Sequence, residues 1–343
     1  MFSRLRQLAF DPYVAAMLVV VATAAVLPAR GQGAIIAGTL ADASIIFLFF
    51  LYGARLSPQA ALSGMMRWRL HIAILLSTFA LFPLLGLALQ PVARTILPSA
   101  LLTGFLYLCV MPSTVQSSIA FTSIARGNVP AAICAASASN ILGVFLSPLL
   151  ASWLLQTQAV TLSFDVFRDI VLQLLAPFVA GQLMRPWVGA WVQRNKGVLG
   201  YADRGSILLI IYVAFSRGVV DGIWNQIGVG DLASLLGLVG FLLILVLGLM
   251  SLVSRWVMRL PLEDRIVLQF CGSQKSLASG LPMAIVLFSG PQLGMIILPL
   301  MLYHQLQLIV CAVMARRYAD RAESAGRDLR GGEALELNSS SGR

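Results

Sequence analysis

Residues 271–282 read CGSQKSLASGLP, and the segments on either side, IVLQF (266–270) and MAIVLF (283–288), are almost wholly apolar. The lysine at the centre decides how the chain must fold. Lys275 stands about ten residues from Arg265, the last charge before it, and about as far from the other end of the same run. At 1.5 Å per residue that is roughly 15 Å from either edge, and a lysine side chain about 6 Å long does not snorkel that far. A charge at the centre of a bilayer costs at least about 2.5–3.5 kcal/mol. Lys275 therefore faces a cavity, loses its proton, or meets a compensating dipole or acid.

The rest of the chain has the composition of a membrane protein. Of its 343 residues, 59% are hydrophobic and only 11% charged, against roughly a quarter charged in an ordinary soluble domain. Apolar stretches recur from Tyr13 to about Ala315 with short polar breaks, leaving no soluble domain of useful size. The net charge of +10 comes from arginines scattered over the loops, with no basic face interleaved with aromatics, which argues against nucleic acid as a partner. Cys109, Cys134, Cys271 and Cys311 fall inside apolar spans without zinc-type spacing, so neither a disulfide framework nor a metal site is expected. No resident cofactor is expected either; sodium or a proton would enter only as a coupling ion.

At about 20 apolar residues per crossing, spans fall near 13–29, 34–54, 70–90, 98–124, 129–155, 164–184, 201–219, 231–254, 263–287 and 293–315. The expected fold is an all-α polytopic membrane protein with ten transmembrane helices. A cytoplasmic N-terminus (1–12) precedes five helices over 13–155 and five over 164–315, and a polar, disordered cytoplasmic tail follows (316–343). Even without that tail, 13 Arg and Lys fall on the side of the N-terminus and 4 (Arg30, Arg94, Arg168 and Arg217) on the other. Positive charge collects inside, so both termini face the cytoplasm. Trp68, Trp153, Trp187, Trp191, Trp224 and Trp256 lie at or just beyond span ends, at headgroup level. A bacterial inner membrane is the expected location, with the lipid bilayer and a small solute as partners and no signature of a particular oligomeric state.

Ten spans with both ends inside divide into two halves of five, the second inverted relative to the first. Transporters use this arrangement, with binding sites where one helix of each half is interrupted. The fourth span contains VMPSTVQSSIAF (110–121) and the ninth FCGSQKSLASG (270–280). Each places a helix breaker beside a polar cluster: Pro112 with Ser113, Thr114, Gln116, Ser117 and Ser118, and Gly272 with Ser273, Gln274, Lys275 and Ser276. Single Ser or Thr residues in membrane helices mostly serve packing and back-bonding. Two such clusters in corresponding spans point to a site. The fifth span adds Ser137 and Asn140, and the tenth His304, which packing or proton carriage explains equally well. Two partners are open to Lys275: Asp42, the carboxylate well inside a span, or the carbonyl ends of the broken half-helices.

These residues resemble a known family. The runs TVQSSIAFTSIARGN (114–128), ASASNILGVFLSPLL (136–150) and FCGSQKSLASGLPMA (270–284) are similar to the bile acid:sodium symporter family, nearest the branch of relatives of solute carrier family 10 member 7. The resemblance covers about residues 10–315. It implies two inverted five-helix repeats whose helices 4 and 9 unwind and cross in a core, which moves against a panel made of the other helices. It implies two sodium sites behind the crossing and an organic anion between core and panel. Carried over residue by residue, the sodium ligands would include Ser117, Ser118, Asn140 and Gln274, with Ser137 nearby and Thr78 at the third-helix position of the second site. The ninth-helix motif departs from the family's Glu-x-Gly-x-Gln-Asn. Phe270 stands for the glutamate and Lys275 for the asparagine, which puts sodium coupling in question. Losing an anionic ligand and gaining a cation moves the site's charge in the direction that repels sodium.

The expected function is that of a secondary transporter of an organic anion or other small solute by alternating access. A cation/proton exchanger is one alternative, and a membrane regulator of ion (calcium) homeostasis built on a transporter fold is another. The spans carry no Gly-x-Ser-x-Gly, His-Glu-x-x-His or aspartate-pair motif, so an enzyme is not expected.

Overall fold

The computed structural model describes residues 12–55, 67–155, 171–222, 227–288 and 290–340, and within them every regular element is helical. In chain order these are α1 (Pro12–Val26), α2 (Gln32–Arg55), α3 (Trp68–Ile96), α4 (Ser99–Cys109), α5 (Gln116–Ile124) and α6 (Val129–Leu155). There follow a π-helical turn (Val171–Leu175) leading into α7 (Ala176–Arg194), then α8 (Lys196–Val220), α9 (Val229–Val257), α10 (Leu262–Cys271), α11 (Leu277–Leu287) and α12 (Leu293–Ser340). Among the described residues, α2, α3, α6, α8, α9 and the Leu293–Arg321 part of α12 are each long and apolar enough to cross a bilayer. The chain is an all-helical polytopic membrane protein.

The short helices come in two pairs, α4 with α5 and α10 with α11, because the chain unwinds between the members of each pair. The first break, at 110–115, surrounds Pro112, which has no N–H to donate to the preceding turn. The second, at 272–276, begins at Gly272, the residue type that most easily leaves a helix. These are the interruptions expected in the fourth and ninth spans.

Other boundaries differ from the sequence reading. α3 runs past residue 90 to Ile96 and α7 past 184 to Arg194, each through an internal proline, Pro91 and Pro186. α8 begins at Lys196, not 201, so Asn195 alone separates it from α7. α12 runs from Leu293 to Ser340. The N-terminal residues 1–11, the start of the sixth span (164–170) and Trp224 lie outside the described residues. The other five tryptophans are all exposed.

Two groups of helices pack together. α1, α2, α7 and α8 lie on one another, with α2 and α7 in the most extensive contact, while α3–α6 and α9–α12 surround the two breaks. The α2–α7 crossing depends on two glycines. A Cβ on Gly53 would fall 2.0 Å from the carbonyl oxygen of Phe178, and one on Gly181 2.0 Å from that of Phe50. Small residues let helix backbones approach this closely where lipid offers no hydrophobic drive for association. The two groups touch where the Tyr52 hydroxyl of α2 donates to the Ala278 carbonyl of α11 at 3.3 Å.

Candidate functional site

The two breaks meet at the centre of the second group, where the Ser276 N–H donates to the Pro112 carbonyl at 2.8 Å. Lys275 is fully buried beside this contact. An ammonium has three N–H donors, and here each has a backbone carbonyl: Met111 at 2.7 Å, Thr78 at 2.9 Å and Cys109 at 3.0 Å. The ring centre of Phe82 lies 3.9 Å from the nitrogen, giving the charge an aromatic face as well.

Each carbonyl is available for a local reason. Cys109 ends α4, and its helical partner would be the N–H of Ser113, which instead donates to the Ser139 hydroxyl at 3.0 Å. Met111 lies inside the unwound stretch. Thr78 belongs to a π-helical turn, Ser77–Leu81, in which the Phe82 N–H is donated to Ser77. In that register the carbonyl of Thr78 would accept from position 83, and position 83 is proline, which has no N–H. A register slip and a proline together turn one helical carbonyl towards the lysine. The end of α4 adds the negative pole of a helix dipole.

Most of the remaining polar groups of the breaks are paired. Gln307 on α12 accepts from the Lys275 N–H at 2.7 Å and donates to the Lys275 carbonyl at 2.9 Å. On the first break, the Asn140 amide donates to the Ser113 carbonyl at 2.6 Å. Ser77, Tyr303 and Ser147 hydroxyls donate to the carbonyls of Gly272, Ser273 and Val110 respectively. Gln274 forms a second centre: its Oε1 accepts from Thr114 (2.5 Å), Ser117 (2.6 Å) and Ser118 (3.1 Å). Its Nε2 and the Ser113 hydroxyl are buried with no hydrogen-bond partner.

The structure brings some expected residues together and separates others. Thr114, Ser117 and Ser118 converge on Gln274, whereas Asn140 sits apart, holding Ser113 and accepting from the Ser279 hydroxyl at 2.8 Å. Thr78 contributes its carbonyl; its hydroxyl donates to Ile74 in its own helix. The Ser273 hydroxyl likewise donates back to Gln269, and Ser276 caps α11 by accepting from the Ser279 N–H. Gln116 is exposed at the start of α5, and Ser137 is half-buried with no side-chain hydrogen bond in the cluster; its neighbour Ser139 bonds the break. His304 Nδ1 lies 3.3 Å from the Lys275 carbonyl. Asp42 is not the partner of Lys275: it is exposed on α2, within electrostatic reach of Arg217. Carbonyls satisfy the ammonium instead.

Phe270, at the position where the resembled motif has an acid, is fully buried. Its ring packs 5.8 Å from Phe121 and 6.4 Å from Tyr318, centre to centre. No carboxylate is hydrogen-bonded to Gln274 or Lys275 among the described residues. Sequence reading missed Gln307, Tyr303 and Ser77, each of which reaches a break from a distant helix. The signal for Gln307 was present, since a glutamine on an apolar helix needs a partner.

At the N-terminal end of α10, Asp264 ties the half-helices together. It is buried, accepts from the Asn128 amide at 2.9 Å and forms an ion pair with Arg67. Asn128 in turn donates its N–H to Glu263 at 3.2 Å and accepts from Ala131 at the start of α6.

Comparison with known proteins places the chain in a family. A family model described as the SBF-like CPA transporter family matches residues 11–320. An uncharacterized protein of Pseudomonas aeruginosa, PA2026, is 49% identical over 320 residues, covering 93% of this chain and 96% of that one. "Putative symporter YfeH" of Escherichia coli is 47% identical over 315 residues, 91% of this chain and 94% of that one. Sodium/bile acid cotransporter 7 of Rattus norvegicus is 28% identical over 282 residues, 80% of this chain and 82% of that one. The chain is a membrane protein of the SBF-like CPA transporter family.

Proposed function

We propose that this protein moves an organic anion or another small solute across a bacterial inner membrane by alternating access, with the Lys275 ammonium serving as a fixed cation where sodium-coupled relatives bind a mobile one. The observation that carries the reading is the Lys275 cage: three carbonyls and an aromatic face around a fully buried ammonium. Carbonyl rings at broken helices are cation sites in transporters, and here the cation is part of the chain. The second centre suits sodium poorly. The Gln274 oxygen already accepts from three hydroxyls, its amide nitrogen is a buried donor, and Phe270 contributes packing in place of charge.

In this reading the chain has ten crossings in two inverted repeats, with α4 plus α5 and α10 plus α11 as the broken helices and both termini cytoplasmic. Two features support it. Helices α1 and α2 pack against α8 and α7, as two panel halves would, and each break is held by polar side chains from the helix that follows it, α6 or α12. The group around the breaks would then slide as one body against α1, α2, α7 and α8.

Uptake into proteoliposomes, screened across organic anions with sodium replaced by potassium, tests the reading. Uptake of at least one anion is expected at similar rates in both salts. Uptake that requires sodium would overturn the fixed-cation assignment, and uptake of none would overturn the anion carrier.

A further inference from the structure

His304 and Gln307 lie one turn apart on α12, and both reach the backbone of Lys275. Gln307 is fully buried, while His304 is partly exposed. The Gln307 carboxamide uses its oxygen for the Lys275 N–H (2.7 Å) and its nitrogen for the Lys275 carbonyl (2.9 Å). That orientation is therefore fixed. The same nitrogen lies 2.8 Å from His304 Nδ1, and a carboxamide nitrogen can only donate. Nδ1 is the acceptor, so the ring is neutral and carries its proton on Nε2.

A second proton on this ring has one place to go, which is Nδ1. There an N–H would face the N–H of Gln307 across 2.8 Å, with the Lys275 carbonyl 3.3 Å away as the available acceptor. The imidazolium would donate to that carbonyl and displace Gln307. Turning the carboxamide over does not rescue the arrangement, because its nitrogen would then oppose the Lys275 N–H. No orientation of Gln307 satisfies a protonated His304 and both backbone groups of Lys275.

We infer that His304 is a proton-binding site whose occupation releases Gln307 from the backbone of Lys275, loosening the second break. A histidine is the side chain whose charge ordinarily changes between pH 5 and 8, and the ring is only partly covered by the protein. Lys275 is joined to the ring through its carbonyl. The other charged or titratable groups on elements packed against α12 are Tyr107 and Cys109 on α4, Asp231 and Arg255 at the two ends of α9, and Lys196, Tyr201, Asp203, Arg204, Tyr212 and Arg217 on α8. The inference builds on the fixed-cation reading by naming what would set that cation's anchorage, but its test uses no sodium and no solute.

The test is carried out on the full chain in detergent, with the proton as the probe. The sequence has two histidines, so His71→Gln leaves His304 as the sole imidazole for nitrogen-15 spectroscopy. The expected neutral form has Nδ1 unprotonated and hydrogen-bonded. As the ring takes up its proton, the Lys275 amide should lose about tenfold in hydrogen-exchange protection, after correction for intrinsic pH dependence, roughly what one buried hydrogen bond contributes. His304→Asn keeps an acceptor for Gln307 and cannot be protonated, so its protection should be independent of pH. A neutral ring protonated on Nδ1 would overturn the inference, as would a protection loss that persists in His304→Asn. A Lys275 amide equally protected at pH 5 and 8 in the native chain, with His304 shown to titrate, would do the same. A sodium requirement for uptake would remove the fixed-cation reading and leave this result standing.

Discussion

The ammonium of Lys275 and the ring of Phe82 are 3.9 Å apart, nitrogen to ring centre, in the fully buried middle of the protein. Phe82 follows the π-helical turn that frees the Thr78 carbonyl, so one short segment of α3 supplies both an oxygen and an aromatic face. Phe82→Leu keeps the volume nearly filled and removes the quadrupole. A loss of about 2 kcal/mol is expected, the size of a desolvated cation–π contact, read from the unfolding midpoint in detergent.

Lys275→Met should be more damaging than Phe82→Leu. It removes three charge-assisted hydrogen bonds and leaves three buried carbonyls without donors. Each orphaned group costs about 1–3 kcal/mol when nothing relaxes, so a total of several kcal/mol is expected. Stability measured with and without added alkylammonium ions checks the cause, because a small cation that refills the cage should recover part of the loss.

Phe270→Glu combined with Lys275→Asn would restore the residue types of the sodium-coupled motif. The double variant should gain stability with sodium over potassium, following the mass-action rule that a ligand at 100 times its dissociation constant adds about 2.7 kcal/mol. The native chain should show no such difference in the same thermal-shift measurement.

Gly53→Ala and Gly181→Ala should each force α2 and α7 apart, since the new Cβ would lie 2.0 Å from a backbone oxygen that cannot rotate away. A loss at or above the upper end of the usual overpacking range, about 1–3 kcal/mol, is expected. Gly248→Ala, where no atom lies within 4 Å of the new Cβ, is the control and should be neutral or stabilising by up to about 1 kcal/mol.

Asp264→Ala should destabilise by about 1–3 kcal/mol because it leaves the Asn128 amide without its acceptor. Arg67→Ala should cost about 1 kcal/mol or less, as Arg67 is 48% exposed and its half of the pair is screened by water. The order of the two midpoints, more than either value, is the check.

The sequence carried the class of the fold because lipid imposes a length and a composition on every crossing, and the breaks because Pro112 and Gly272 have local effects. It also showed that Lys275 needed compensation. It did not show which compensation, because carbonyls belong to every residue and their availability depends on where the helical register slips. A π-helical turn at Ser77–Leu81 leaves no residue signature apart from Pro83. The depth of Asp42 made it a candidate counter-charge, yet depth alone does not say which way a helix faces, and Asp42 is exposed while the ammonium is bonded to carbonyls. That Gln307 needed a partner was readable, but which partner was not, because it is the main chain of the second break.

The lysine cage also has an electrical consequence. A sodium ion carried by a transporter crosses the membrane and departs, so repeated cycles pass a steady current. A charge covalently attached to the chain must return with every cycle. If the helices around the breaks shift through the bilayer as proposed, Lys275 would carry its charge through part of the field and back, coupling the step to membrane voltage at up to about 2.3 kcal/mol per 100 mV for a complete crossing. The signature would be a transient, reversible displacement current, which vanishes when the lysine is replaced by a neutral residue.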